Sequence, residues 1–304
     1  MREDRSRSAG LPPETPSSTK DWSPEALAGT IKQAGTPDAS TWNTRKLGLR
    51  ICADVTAASA AGFLVAPVIT IIDRGIIENA SGRNTLGGSL KSSFVELLFR
   101  PQRFVFSKPF ALIFSLYFGT YMAANSIDSA SSTMRAQSAS TVTAGLPKFA
   151  ATSTSNLALC LYKDSRFTQM FGAANSTPRP VPTATFALFA LRDSLTIFAS
   201  FNLPPLVAPH LSRYMGDSLQ KYISSASAAQ IITPAALQVV STPLHLLGLD
   251  LYNRERAEWR ERAVKVTKDW AKSCLARMGR IVPAFGIGGV VNTRVRSGLM
   301  KKLE

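Results

Sequence analysis

The run ASAAQIITPAALQVVSTPLHLLGL, residues 226–249, holds 24 residues without an Asp, Glu, Lys or Arg. A helix needs about 20 mostly apolar residues to cross a hydrocarbon core about 30 Å thick. The stretch therefore reads as a membrane span, and it sets the reading of its neighbours. Residues 109–127 form a second uncharged run. Residues 51–72 are interrupted only by Asp54, and residues 185–203 carry Arg192 and Asp193 at their centre. Residues 139–162 include Lys148, and residues 276–292 carry Arg277 and Arg280 near their start. This predicts an all-α membrane protein of six transmembrane helices.

Composition agrees. The chain has 304 residues, 45% of them hydrophobic and only 18% charged, with 35 Lys+Arg against 20 Asp+Glu and a net charge of +15. Mean hydropathy is +0.05. A basic balance suggests nucleic acid or an anionic membrane as partner, but so low a charged fraction argues against nucleic acid. The basic residues are segregated. The stretches after the first, third and fifth spans hold 17 of them, and those after the second and fourth hold 3. This is the asymmetry of the positive-inside pattern, and the lipid bilayer is the first partner it implies. Residues 1–44 are rich in Gly, Pro, Ser and Thr, show no apolar period and read as a disordered tail before a membrane domain over 45–304. The tail lacks the apolar core of a secretory signal.

Three dispersed cysteines and two histidines leave no disulfide framework and no metal site. No phosphate-binding loop, dinucleotide fingerprint or nucleophile elbow is present, so the sequence indicates no enzyme and no cofactor. The spans are rich in small residues, as in Ala57-Ala58-Ser59-Ala60-Ala61-Gly62, which lets helices approach closely.

Pro67, Asn156 and Pro243 recur at intervals of 89 and 87 residues, each preceded by small or β-branched residues and followed by apolar ones. This suggests three helix-pair repeats, over about 48–130, 131–222 and 223–302. With the stretch Arg277-Met278-Gly279-Arg280-Ile281-Val282-Pro283, the pattern resembles the mitochondrial carrier family across about residues 48–302. The chain is also similar to a group of fungal mitochondrial membrane proteins. The resemblance implies a carrier-like bundle around a central cavity, in a mitochondrial membrane, inner or outer, transporting a small anionic solute. Two positions after Pro67, Asn156 and Pro243, where that family carries an acid, stand Ile69, Ala158 and His245. Their departure supports an alternative: a non-transporting scaffold, tether or insertion factor.

Ionisable residues in mid-span usually face a cavity or one another. Arg192, Asp193 and Lys148 are therefore candidate substrate-binding residues, with an interhelical ion pair as the competing reading. Successive helix positions point about 100° apart, so Arg192 and Asp193 are expected to pair with other helices; Asp54 is the candidate partner for Arg192, and Lys148 for Asp193. Gln230, Gln238 and His245 form a polar stripe on the fifth span, and Gln238 and His245 join the candidate site. Asp54 and Arg280, with Asp73-Arg74, Lys163-Asp164 and Asp250, are expected at the interface. Residues 163–172 suggest a short amphipathic loop helix. Residues 254–272 suggest a charged amphipathic helix whose basic residues and tryptophans suit anionic lipids.

Overall fold

The computed structural model describes residues 42–173, 179–216 and 224–304. All but the last three residues of the expected tail, and the expected repeat boundary at 222/223, lie outside the described residues. Among the described residues the regular structure is entirely helical. The helices are α1 (Leu47–Ala80), α2 (Leu86–Phe99), α3 (Pro101–Val105), α4 (Lys108–Arg135), α5 (Leu146–Phe171), α6 (Thr183–Phe201), α7 (Leu203–Tyr214), α8 (Ser225–Asn253), α9 (Trp259–Gly279) and α10 (Gly289–Leu303). A π-helical turn, Val282–Gly288, joins α9 to α10.

Five helical stretches are long and apolar enough to cross a membrane: α1, α4, α6, α8, and the continuous run Trp259–Leu303. The span expected at 139–162 is not among them. Its helix, α5, starts at Leu146 and runs on to Phe171, taking in Lys163, Asp164 and Arg166 beside Lys148. The short loop helix expected at 163–172 is the end of α5, and the amphipathic helix expected at 254–272 begins at Trp259 as α9.

Local chemistry explains several boundaries. The side chains of Thr85, Ser107 and Ser224 accept from the backbone N–H groups of Gly88, Phe110 and Ser227, capping α2, α4 and α8. Pro109 stands in the first turn of α4, where a missing N–H costs nothing.

Packing follows the small-residue runs. Ala57, Ala58, Ala61, Gly62 and Val65 are buried on α1, which packs most extensively against α4. A Cβ on Gly62 would stand 3.1 Å from the Phe118 backbone nitrogen, so the contact needs glycine or a shift. α8 packs against α6 in the same manner: Phe189 closes on Gly248, and Thr185 donates to the Gly248 carbonyl at 3.1 Å. The main core joins Val65, Ile69 and Ile77 of α1, Ile113 and Leu116 of α4, Phe167 of α5, Phe189 of α6, and Leu246 and Leu249 of α8.

Two buried ionic clusters sit near opposite ends of α1. Near its start, Asp54 accepts from Arg296 of α10 at 2.7 Å and from Ser129 of α4, while Arg50 donates to the Asn43 and Ser129 carbonyls. Near its far end lies Asp73, beneath the cavity described next. Asp54 and Asp73 are both buried, so neither is the interfacial charge its sequence position suggested. An interior carboxylate is tolerable only when paired, and each has its cation.

Candidate functional site

A cavity of about 530 Å³ lies between α4, α5, α6, the α9–α10 junction and Gln238 of α8. Its floor is ionic. Leu116 and Tyr117 of α4, Cys160 of α5, Arg192 and Asp193 of α6, Gln238, Arg277 and Arg280 line that end. Toward the N-terminal end of α5 and the C-terminal end of α6 the lining passes to Asn156, Thr152, Ser153 and Lys148, and to Thr196, Ser200 and Phe201.

The floor rests on a chain of ion pairs joining α1, α5, α6 and the α9–α10 junction. Asp73 of α1 accepts from Lys163 of α5 at 2.8 Å and from Arg280 at 2.7 Å. Lys163 also reaches Asp164 at 2.5 Å, and Asp164 accepts from Arg192 at 2.5 Å. Arg192 donates to both oxygens of its neighbour Asp193 at 2.6 Å. Its Nη1 lies 2.7 Å from His245 Nδ1 on α8. A guanidinium only donates, so that nitrogen accepts and the imidazole is neutral.

Counting charges makes one residue stand out. Lys163, Arg192, Arg277 and Arg280 meet Asp73, Asp164 and Asp193: four cations against three carboxylates. Arg277 is the excess. It is buried, and its Nε donates to Gln238 Oε1 at 2.9 Å. No carboxylate among the described residues pairs with it, and its Nη1 is shielded from solvent without a hydrogen-bond partner. A buried charge left unpaired is costly, and this one lines a cavity able to admit an anionic group.

The π-helical turn shapes the opposite wall. Pro283 has no N–H for the carbonyl four residues before it, which disturbs the α-helical ladder there. Tyr121 of α4 donates to the Ala284 carbonyl at 2.9 Å. A Cβ on Gly288 would run into the Tyr121 hydroxyl and stand 2.7 Å from Val65, so a side chain there forces its neighbours to shift.

A sequence profile described as a probable citrulline exporter matches residues 57–300, well over half of the chain. The chain belongs to the probable citrulline exporter family. No curated protein is similar enough to match it. This membership overturns the resemblance to the mitochondrial carriers. The markers behind that resemblance, prolines and small residues at wide intervals in kinked helices, are ones any close-packed helical bundle can present. For a probable citrulline exporter, transport is the expected work and an enzymatic role is not.

Of the residues singled out in the sequence, Arg192, Asp193, Lys148 and Gln238 do line one cavity. His245 does not line it; it sits behind Arg192. Gln230 is exposed, which breaks the expected polar stripe. The expected pairings are corrected too. Arg192 binds Asp164 and folds back on Asp193, because its long side chain spans the angle between adjacent positions. Asp54 binds Arg296, and Lys148 binds Asp128 at 2.6 Å. Sequence reading placed Lys163 and Asp164 at an interface, and it treated Arg277 as a charge at a span's start. The spacing of Arg277 and Arg280, three apart on one helical face, was the available signal.

Proposed function

We propose that this multi-pass membrane protein exports a small zwitterionic amino acid of the citrulline type through the cavity. The observation that carries this reading is the buried Arg277 guanidinium, which lines a cavity between membrane-spanning helices and has no carboxylate partner among the described residues. A solute carboxylate would complete its pairing, as charge-assisted contacts between guanidinium and carboxylate do. Arg280 adds positive charge on the same side. Asp193 gives the solute ammonium the one carboxylate lining the cavity among the described residues. His245 acts indirectly by holding Arg192. The volume lies within the range of about 300–1,000 Å³ usual for small-molecule sites. This replaces the anionic solute expected from sequence with a zwitterion of no net charge, whose carboxylate is the group that meets the cavity cation.

Within this reading α5 also crosses the membrane, since Lys163 and Asp164 are paired inside the bundle and Arg166 lies exposed in its last two turns, and the spans number six. Passage through the floor requires the Asp73–Lys163–Asp164–Arg192 chain to part, so the described arrangement is the state closed on that side. On α9, Trp259 and Val264 are exposed beside Arg260 and Lys268, which suits contact with anionic lipid. The mitochondrial membrane expected from the sequence stays a proposal about location, and fractionation with protease protection tests it.

Transport is tested by reconstituting the purified protein in liposomes loaded with labelled citrulline. Saturable efflux above protein-free vesicles is expected. Efflux equal to the protein-free control would contradict the proposal.

A further inference from the structure

We infer that Thr152 and Ser153 form a second recognition point in the cavity, selecting amino acids whose side chain ends in a neutral group that both donates and accepts hydrogen bonds. The inference rests on the exporter reading and names its substrate class.

Hydroxyls on helices usually spend their proton on a carbonyl of the preceding turn. In this cavity Thr120 donates to the Leu116 carbonyl, Thr196 to that of Arg192, and Ser200 to that of Thr196. Thr152 Oγ1 and Ser153 Oγ break the pattern: both are shielded from solvent and neither has a partner among the described residues. Both line the cavity. Arg277 Nη1 is the third unpartnered buried side-chain atom on that lining. The unmet hydrogen bonds therefore fall in two places, one cationic at the floor and one neutral higher on α5.

The two places share one cavity lining. Thr152 precedes Cys160, the α5 residue at the floor, by eight positions, or about 12 Å at the helical rise of 1.5 Å per residue. The hydroxyl pair thus stands about two turns of α5 above the floor, where the far end of a solute anchored at the floor would lie. A hydroxyl offers one proton and two lone pairs, so the adjacent pair matches a ureido or carboxamide group, which has both N–H and C=O. A cationic side chain is disfavoured there. Lys148 lies one turn away on α5, and Asp128, the nearby acid, is already engaged by Lys148 and by the Ala144 N–H at 2.9 Å.

The test compares citrulline with norvaline, which lacks the terminal ureido group, and with ornithine, which ends in a cation. Binding to purified protein is read from ligand-induced thermal stabilisation, and transport from counterflow in proteoliposomes. The intact protein is expected to prefer citrulline over both. The Thr152→Val/Ser153→Ala double variant should lose at least tenfold of the citrulline-to-norvaline preference, because a site built to hydrogen-bond a group discriminates through its own unpaired polar atoms. Thr152→Ser, which keeps the hydroxyl, should retain the preference and controls for folding. An unchanged ratio in the double variant, or equal binding of the three ligands by the intact protein, would overturn the inference. Selective citrulline binding without counterflow would support the recognition point and sink the exporter reading instead.

Discussion

Arg277 of α9 donates from Nε to Oε1 of Gln238 on α8 at 2.9 Å, and this neutral amide takes the place of a carboxylate. The same Gln238 oxygen accepts from Ser241 at 3.1 Å, and its Nε2 donates to the Pro234 carbonyl at 3.0 Å. The amide is held fixed, and the charge it contacts is left uncompensated. Every other cation of the floor has an acid within hydrogen-bond distance. A protein that keeps one buried charge in excess keeps an unfavourable interaction unless a ligand completes it.

The first consequence concerns stability without ligand. Removing a buried unpaired charge relieves a desolvation penalty of several kcal/mol. Arg277→Met is expected to raise the thermal midpoint of the ligand-free protein in detergent and to abolish further stabilisation by citrulline. A fall in the midpoint would show that the charge is compensated by a route the geometry does not contain.

Asp164 is the opposite case. It accepts from Arg192 and pairs with Lys163, so Asp164→Asn strands two buried cations on one fewer carboxylate. Breaking a buried pair from one side costs about 3–5 kcal/mol. A clear drop in the thermal midpoint is expected, much larger than that of Glu255→Gln, since Glu255 is mostly exposed in its pair with Arg179.

Gly288 is expected to tolerate no side chain. Gly288→Ala drives a methyl group into the Tyr121 hydroxyl and Val65, and overpacking of this kind costs about 1–3 kcal/mol. Adding Tyr121→Phe removes the nearer clash, so the double variant should be less destabilised than the sum of the two single ones. Strict additivity in thermal melts would mean that the two residues do not meet.

Trp270 tests the docking of α9. Pro243 lacks an N–H, so the Val239 carbonyl four residues earlier has no helical donor. The Trp270 indole N–H supplies one at 3.0 Å. Trp270→Phe should cost about 0.5–1.5 kcal/mol. The cost should shrink in a Pro243→Ala background, where α8 can close its own bond; a double-mutant cycle in thermal stability measures the difference.

Much of this architecture is legible in the sequence. Uncharged runs such as 226–249 and the small-residue face around Gly62 announce membrane helices packed closely, because apolar length and side-chain size are local properties. The cavity residues Arg192 and Asp193 are legible for the same reason: charge in mid-span has few places to go. The pairings are not. Whether Asp54 meets Arg192 or Arg296 depends on which helices become neighbours, and that is settled by packing over distances the sequence pattern does not encode. The extent of α5 is hidden in the sequence because Lys163-Asp164 looks like loop chemistry until Asp73 and Arg192 are seen to pair with it. The functional weight of Arg277 is a property of what surrounds it, namely the absence of a paired acid among the described residues, and no feature of residue 277 alone displays that.

The most direct measurement is citrulline counterflow in proteoliposomes bearing the intact protein or Arg277→Gln. Saturable counterflow is expected for the intact protein, falling at least tenfold in the variant while its thermal midpoint is maintained or raised. Equal counterflow from a well-folded Arg277→Gln variant would contradict the assignment of the cavity cation as the carboxylate receptor.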